Sequence, residues 1–212
     1  MSVTVAKTAG FCFGVRRAVD LAEQQAKQGG EIYAYGEIIH NMHEIARLEK
    51  MGVHTAQTLD GIPDGERVLI RAHGVARSVY DAFRQKNCEI YDATCPFVQK
   101  IHRIVDRESR DGRLVLILGK EGHPEVEGIR GWCSESVVID GEQAAQTFAD
   151  ALEPASRPVS LVAQTTVNRA IWNISVSILK KRCTNLKIFD TICKATDERQ
   201  SEARLLAGAS DQ

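Results

Sequence analysis

Nothing in this 212-residue chain approaches the run of about 18 apolar residues that a membrane-spanning helix needs. Charge of one sign is also lacking. The formal net charge is −1, which leaves no electrostatic case for nucleic acid or an anionic membrane as the main partner. The opening residues, MSVTVAKTAGF, are too short and too weakly apolar to read as a secretion signal. The chain is therefore expected in the cytoplasm, with its six cysteines reduced rather than bridged. No two cysteines stand in Cys-x-x-Cys spacing, which excludes a zinc ribbon, a ferredoxin-type run and a thioredoxin-like motif. Two near-motifs also fail. LILGKEG lacks the first glycine and the magnesium-binding Ser or Thr of a phosphate loop, and HEIAR lacks the second histidine of a zinc-protease helix.

What remains is an ordinary globular composition, 43% hydrophobic and 26% charged, long enough for one large domain or two small ones. Short β-rich runs alternate with helical patterns, which predicts an α/β fold with mostly parallel strands. Strands are expected at 3–6, 31–35, 68–72, 89–92, 114–118, 136–139, 159–163 and 187–190. Helical faces are expected along Val15, Val19, Ala22 and Ala26, along Val75, Val79 and Phe83, and along Ile171, Ile174 and Ile178.

A repeat underlies this alternation. NCEIYDATC ends at Cys95 and RCTNLKIFDTIC ends at Cys193, each an apolar run, an Asp, a Cys and then a helix. The first ten or so residues read as a lone strand ending at Cys12. This predicts repeated three-layer αβ units around a pseudo-threefold axis: residues 13–95 and 96–193 form units one and two. Residues 1–12 are the closing strand of unit three and 194–212 its first helix, the rest of that unit being absent. The alternative is a two-unit protein with an ornamental first strand and a frayed last helix.

On the repeat, Cys12, Cys95 and Cys193 occupy equivalent strand ends and converge. Three thiolates without a fourth suit an iron–sulfur cluster with one open iron, or a zinc with an open position; the competing reading is three unrelated buried cysteines. Cys88, Cys133 and Cys183 are expected to be structural. His40, His73 and His123 each follow the carboxyl end of an expected strand, where α/β sheets bind ligands, as do Gln164, Thr165 and Thr166. Glu125 sits two residues past His123, a placement suited to a general acid once burial raises its pKa, with Glu127 as its rival. His43, His54 and His102 are expected on the surface.

In order, GFCFGVRRAV, EIIHN, AHGV, DATCPFV, GHPEVEG, AQTT and DTICKAT with its following RQ closely resemble the 4-hydroxy-3-methylbut-2-enyl diphosphate reductase family. The resemblance runs over essentially the whole chain. It implies a 4Fe–4S cluster held by Cys12, Cys95 and Cys193, with its fourth iron open to the substrate's hydroxyl oxygen. It implies diphosphate binding by His40, His73 and His123, and proton delivery by Glu125 with Thr165 in the relay. Electrons would come from ferredoxin or flavodoxin, and the products would be isopentenyl and dimethylallyl diphosphate. Complete members of the family continue through strands carrying further diphosphate-binding Ser and Asn residues. The 212-residue chain alone is accordingly expected to turn over little. The alternatives are a catalytically impaired fragment and a non-catalytic iron–sulfur or redox-sensing protein.

Overall fold

The computed structural model describes residues 3–151 and 157–209. Within them lie two four-stranded sheets of identical topology. The first contains β1 (Ile32–Tyr35), β2 (Val53–Ala56), β3 (Arg67–Ile70) and β4 (Glu89–Asp92) in the order β2-β1-β3-β4. The second contains β5 (Leu114–Leu118), β6 (Ser136–Ile139), β7 (Val159–Ala163) and β8 (Leu186–Ile188) in the order β6-β5-β7-β8. Every pairing is parallel. The repeat seen in the sequence is thus a repeat in space.

Parallel strands are joined by helical crossovers, so both faces of each sheet are covered. LVLIL and VSLVA are accordingly buried at every position. Alternation along each strand divides these residues between two cores. Leu114, Leu116, Leu118 and Leu161 pack toward α6 (Glu142–Ala151) and α7 (Arg169–Arg182), through Ala145, Trp172 and Leu179. Val115, Ile117 and Val162 pack toward α4 (Pro96–Arg110) and α5 (Pro124–Arg130), through Ile101, Val105 and Ile129. Unit one repeats the three layers. Ile32, Ala34 and Leu69 face α1 (Phe13–Ala26) and α2 (Met42–Glu49), while Val68 and Ile70 face Phe83 on α3 (Arg77–Gln85). Each fully buried Leu, Ile or Phe side chain contributes roughly 1.5–3 kcal/mol.

The two units meet along a seam that sets the site. The indole N–H of Trp132 donates to the Val75 carbonyl at 2.8 Å, and Arg77 donates to Asp106 at 2.5 Å. Gly74, at φ +70°, and Gly128 approach so closely that a Cβ on Gly128 would lie 3.3 Å from the Gly74 carbonyl. This contact brings the turn after β3 beside the middle of α5. Among the described residues, no helix is long and apolar enough to cross a membrane.

The structure departs from the expectations in four places. Residues 3–6 form no strand, and Val3 and Val5 are 90% and 74% exposed. Among the described residues no neighbouring strand supplies a ladder there, and an isolated extended segment gains nothing from pairing. Instead the segment is tied to α8 (Lys194–Ala209): the N–H groups of Lys7 and Thr8 donate to Glu202 at 2.6 and 2.8 Å. Val53–Ala56, not expected as a strand, is edge strand β2. On α7 the buried face is Trp172, Ser175 and Leu179, one residue round from the expected one, leaving Ile171 and Ile174 each 41% exposed. His102 is buried, not on the surface: its ring stacks on Trp132 at a centroid distance of 5.0 Å, and burial pushes its pKa down to about 4.

Candidate functional site

Every site residue named from the sequence except Cys12 lies beyond the carboxyl end of a strand or in the turn that follows one. His40 follows β1, His73 follows β3, His123 and Glu125 follow β5, and Thr165 follows β7. Cys95 follows β4 and Cys193 follows β8. Cys12 comes from the irregular N-terminal segment. All of these residues line one cavity of about 240 Å³.

The three imidazoles form a triangle. Ring centroids are 4.4 Å apart for His40 and His73, 5.8 Å for His40 and His123, and 5.7 Å for His73 and His123. His123 caps α5, its Nδ1 accepting the Glu125 N–H at 3.1 Å. A neutral His123 therefore carries its proton on Nε2. The Nδ1 of His73 is buried with no partner among the described residues. Burial first, and then the charges of His40, Arg71 and His123, push the His73 pKa down to about 3. Burial likewise lowers His123, with His40, Lys120 and Arg71 acting in the same direction. An unpaired buried nitrogen costs about 1–3 kcal/mol, and an acceptor-rich anion in the triangle would remove that cost.

Glu125 is 3% exposed on the first turn of α5. Thr165 holds both of its oxygens, donating from its backbone N–H at 2.6 Å and from its hydroxyl at 2.8 Å. Burial nevertheless wins over these bonds and pushes the Glu125 pKa up to about 7. A carboxyl poised there can give up or take a proton near neutrality. Its sequence rival Glu127 instead forms an exposed pair with Arg130.

The cysteines share one local design. Cys12 and Cys95 are the N-cap residues of α1 and α4, and Cys193 immediately precedes α8. The turns before Cys95 and Cys193 are also alike. Asp92 accepts from the Thr94 N–H at 2.8 Å and Asp190 from the Ile192 N–H at 3.3 Å. The N–H of Cys95 then donates to the Ala72 carbonyl at 2.9 Å, and that of Cys193 to the Thr165 carbonyl at 3.0 Å. Burial pushes the Cys95 thiol up. The N–H groups of Phe97 and Val98 pull the other way, and Cys193 and Cys12 add to the rise.

These residues fit a cluster with three protein ligands. A Cβ on Gly14 would sit 2.5 Å from the Cys95 Sγ, so the first turn of α1 is cut away where the thiols gather. Among the described residues, no three His, Cys, Asp or Glu side chains close tightly enough to hold a single ion.

Three contributors were not evident from the sequence. Arg71 is the cation whose charge reaches both His73 and His123. Its place between the end of β3 and His73 was the available signal. The Thr196 hydroxyl donates to the Thr165 carbonyl at 3.1 Å. Gly14 matters through a missing side chain, which a scan for reactive groups passes over. Cys88, Cys133 and Cys183 stay outside the cavity, as expected of structural residues.

The LytB protein family matches residues 3–212. The chain is 39% identical over 212 residues to the 4-hydroxy-3-methylbut-2-enyl diphosphate reductase of Clostridioides difficile strain 630, covering 100% of this chain and 75% of that one. It is 40% identical over 214 residues to the Geobacter sulfurreducens enzyme of the same name, covering 100% and 73%. A solved structure of this reductase, described as the terminal enzyme of the non-mevalonate pathway, matches with TM-score 0.80 and 35% identity over 99% of this chain and 74% of that one. The Plasmodium falciparum reductase structure matches with TM-score 0.88 and 27% identity over 94% of this chain and 63% of that chain. With the same strand order in two successive sheets and this breadth of agreement, the chain belongs to the LytB family, that of the 4-hydroxy-3-methylbut-2-enyl diphosphate reductases.

Proposed function

We propose that the cavity carries out the family's reaction, the reductive dehydroxylation of 4-hydroxy-3-methylbut-2-enyl diphosphate to isopentenyl and dimethylallyl diphosphate. Two electrons and two protons are consumed for each product and water formed. The observation that carries this reading is the convergence of three thiols, three imidazoles and one buried carboxyl on a single cavity.

Cys12, Cys95 and Cys193 would hold a 4Fe–4S cluster. When bound, it supplies electrons singly and an open iron that draws electron density from the substrate's hydroxyl oxygen. Three thiols lining one shared cavity, with no fourth protein thiol beside them among its lining residues, are the donor set of a cluster with three protein ligands.

The chain's own residues supply the rest. His123 presents an Nε2 proton to the diphosphate, while the unpartnered His73 Nδ1 takes up a proton on anion binding and becomes a second donor. His40 completes the triangle from the more exposed side, and Arg71 adds positive charge behind it. Glu125 holds its proton near neutrality and delivers it to the departing hydroxyl oxygen, so that water is the leaving group. Thr165 keeps that carboxyl aimed and relays a proton to it through its hydroxyl. A ferredoxin or flavodoxin in the cytoplasm is the proposed electron source. The domain reading is retained as part of the proposal: units at 13–95 and 96–193, with 1–12 and 194–212 as two ends of a third. The contacts of Lys7 and Thr8 with Glu202 on α8 support it.

The test is anaerobic reconstitution of the 212-residue chain with iron and sulfide. About four irons per chain are expected, with a broad visible absorption band that is lost in Cys95→Ser. A folded chain that binds no iron, or one that binds it equally well as Cys95→Ser, overturns the proposal.

A further inference from the structure

We infer that Arg17 and Arg199 are positioning residues of the three-cysteine centre, each on the helix opened by one cysteine and gripping the backbone that delivers the next. Arg17 lies one turn into α1, the helix that begins at Cys12. Its guanidinium reaches across to the turn before Cys95, donating to the carbonyls of Asp92 and Thr94, both at 3.2 Å. Arg199 lies on α8, the helix that begins after Cys193. It donates to the carbonyls of Thr8 at 3.1 Å and Gly10 at 2.5 Å, on the segment that delivers Cys12. The helix opened by Cys95 reaches toward the third cysteine, where the Arg107 guanidinium lies 5.7 Å from the ring centre of Phe189, just before the Asp190 turn.

The grips therefore run in a ring: Cys193's helix holds Cys12, Cys12's helix holds Cys95, and Cys95's helix leans on the approach to Cys193. None of these contacts is within one element, so together they fix the separations of three thiols that come from distant parts of the sequence. The guanidinium fork suits the task, because its planar donors meet two main-chain carbonyls at once. It also brings positive charge to a centre that would carry three thiolates, and net charge is one determinant of a cluster's reduction potential.

This inference rests on the reading of Cys12, Cys95 and Cys193 as cluster ligands. The experiment compares reconstituted 212-residue chains: wild type, Arg17→Gln, Arg17→Lys and Arg199→Gln. Arg16→Gln, an exposed neighbour with the same loss of charge, and Val19→Ala, a buried residue of α1 outside the fork, are the controls. Iron release to a chelator and the midpoint potential are read, with circular dichroism confirming the fold. Arg17→Gln and Arg199→Gln are expected to release iron about tenfold faster or more, the range seen when partners of metal ligands are removed. Their potentials should shift to more negative values. Arg17→Lys should keep the potential near wild type yet release iron faster, because it keeps the charge and loses the fork. Wild-type release and potential in Arg17→Gln would overturn the inference. So would equally fast release from Val19→Ala, since the effect would then be mere destabilisation. Failure of the wild-type chain to take up iron overturns the proposed centre and the inference together.

Discussion

A single residue, Thr165, holds both carboxyl oxygens of Glu125, and its carbonyl accepts the N–H of Cys193 at 3.0 Å. The proposed proton donor and one of the proposed cluster ligands are thereby fixed to the same short stretch of backbone after β7. Movement of one is movement of the other, which would tie acid placement to the proposed metal centre.

Glu125 predicts a pH dependence with a definite sign. Its pKa is raised from an ordinary 4.5 to about 7 in the fold, so between those values the folded chain holds a proton that the unfolded chain has lost. Stability contributed by this group is full below the lower value and falls as pH rises through the upper one. Glu125→Gln should remove that fall, which amounts at most to something on the order of 3 kcal/mol. Urea unfolding of wild type and variant at about pH 5 and about pH 8 checks it. The same pH dependence in both chains refutes the assignment.

His73 predicts the opposite slope. Its pKa is lowered from 6.5 to about 3, so the unfolded chain binds a proton first as pH falls, and stability declines on the acid side. His73→Asn should be more stable than wild type by on the order of 1 kcal/mol at about pH 5.5, and equal to it near about pH 8. Acid titration followed by circular dichroism reads this directly. A variant that is less stable at acid pH would show that the buried imidazole has a partner worth keeping.

Gly14→Ala separates folding from metal binding. Alanine in a helix is favoured over glycine by roughly 0.5–1 kcal/mol, which offsets part of the roughly 1–3 kcal/mol cost of crowding Cys95, so the melting temperature should fall by no more than about 10 °C. The new Cβ would nevertheless lie 2.5 Å from the Cys95 Sγ and displace it. Iron retention should fall by about tenfold or more while the far-ultraviolet spectrum is unchanged. Full iron binding by this variant would mean that the thiols do not need the space.

Glu108 is a stability prediction remote from the cavity. It is 1% exposed, accepts from Ser160 at 2.9 Å, and pairs with Arg113 at 3.4 Å and Lys187 at 3.1 Å. Burial alone would raise its pKa, but Lys187, Ser160 and Arg107 together hold it below its ordinary value. Glu108→Ala leaves the buried Arg113 without its carboxylate and should cost about 3 kcal/mol or more. Denaturant unfolding showing a loss below about 1 kcal/mol would contradict this.

Turnover by the 212-residue chain alone is predicted to be poor. A quarter of the length of the Clostridioides difficile relative lies outside the match, and His40 in this chain is 53% exposed at its side chain. Loose positioning of a reacting substrate costs on the order of 100-fold in rate. The iron-loaded chain with a chemical reductant should therefore run at least about 100-fold slower than that full-length relative. A comparable steady rate would show that these residues suffice.

Much of this was legible from the chain. Strands such as LVLIL and VSLVA declare themselves because both faces are buried, which writes an unbroken apolar run. β2 did not, because an edge strand with an exposed His54 and a half-buried Thr55 carries too little pattern. The segment 3–6 reads as a strand by composition, but a strand exists only with a neighbour to pair with. The buried face of α7 lies one residue round from its isoleucines, because isoleucines mark a helix as apolar without saying which side meets the sheet. Trp172 takes that place.

The sequence by itself determined most of the element types, the duplicated Asp-x-x-Cys turns and the chemical character of the site, since these depend on local residue order and side-chain type. Only the tertiary structure decided the rest. It set His73 of one unit against His123 of the other through the close approach of Gly74 and Gly128. It buried Glu125 deeply enough to hold a proton near neutrality, and it buried His102 against Trp132. Distances between residues far apart in the chain, and the desolvation that shifts a pKa, are properties of packing, and packing is not written in any one stretch of sequence.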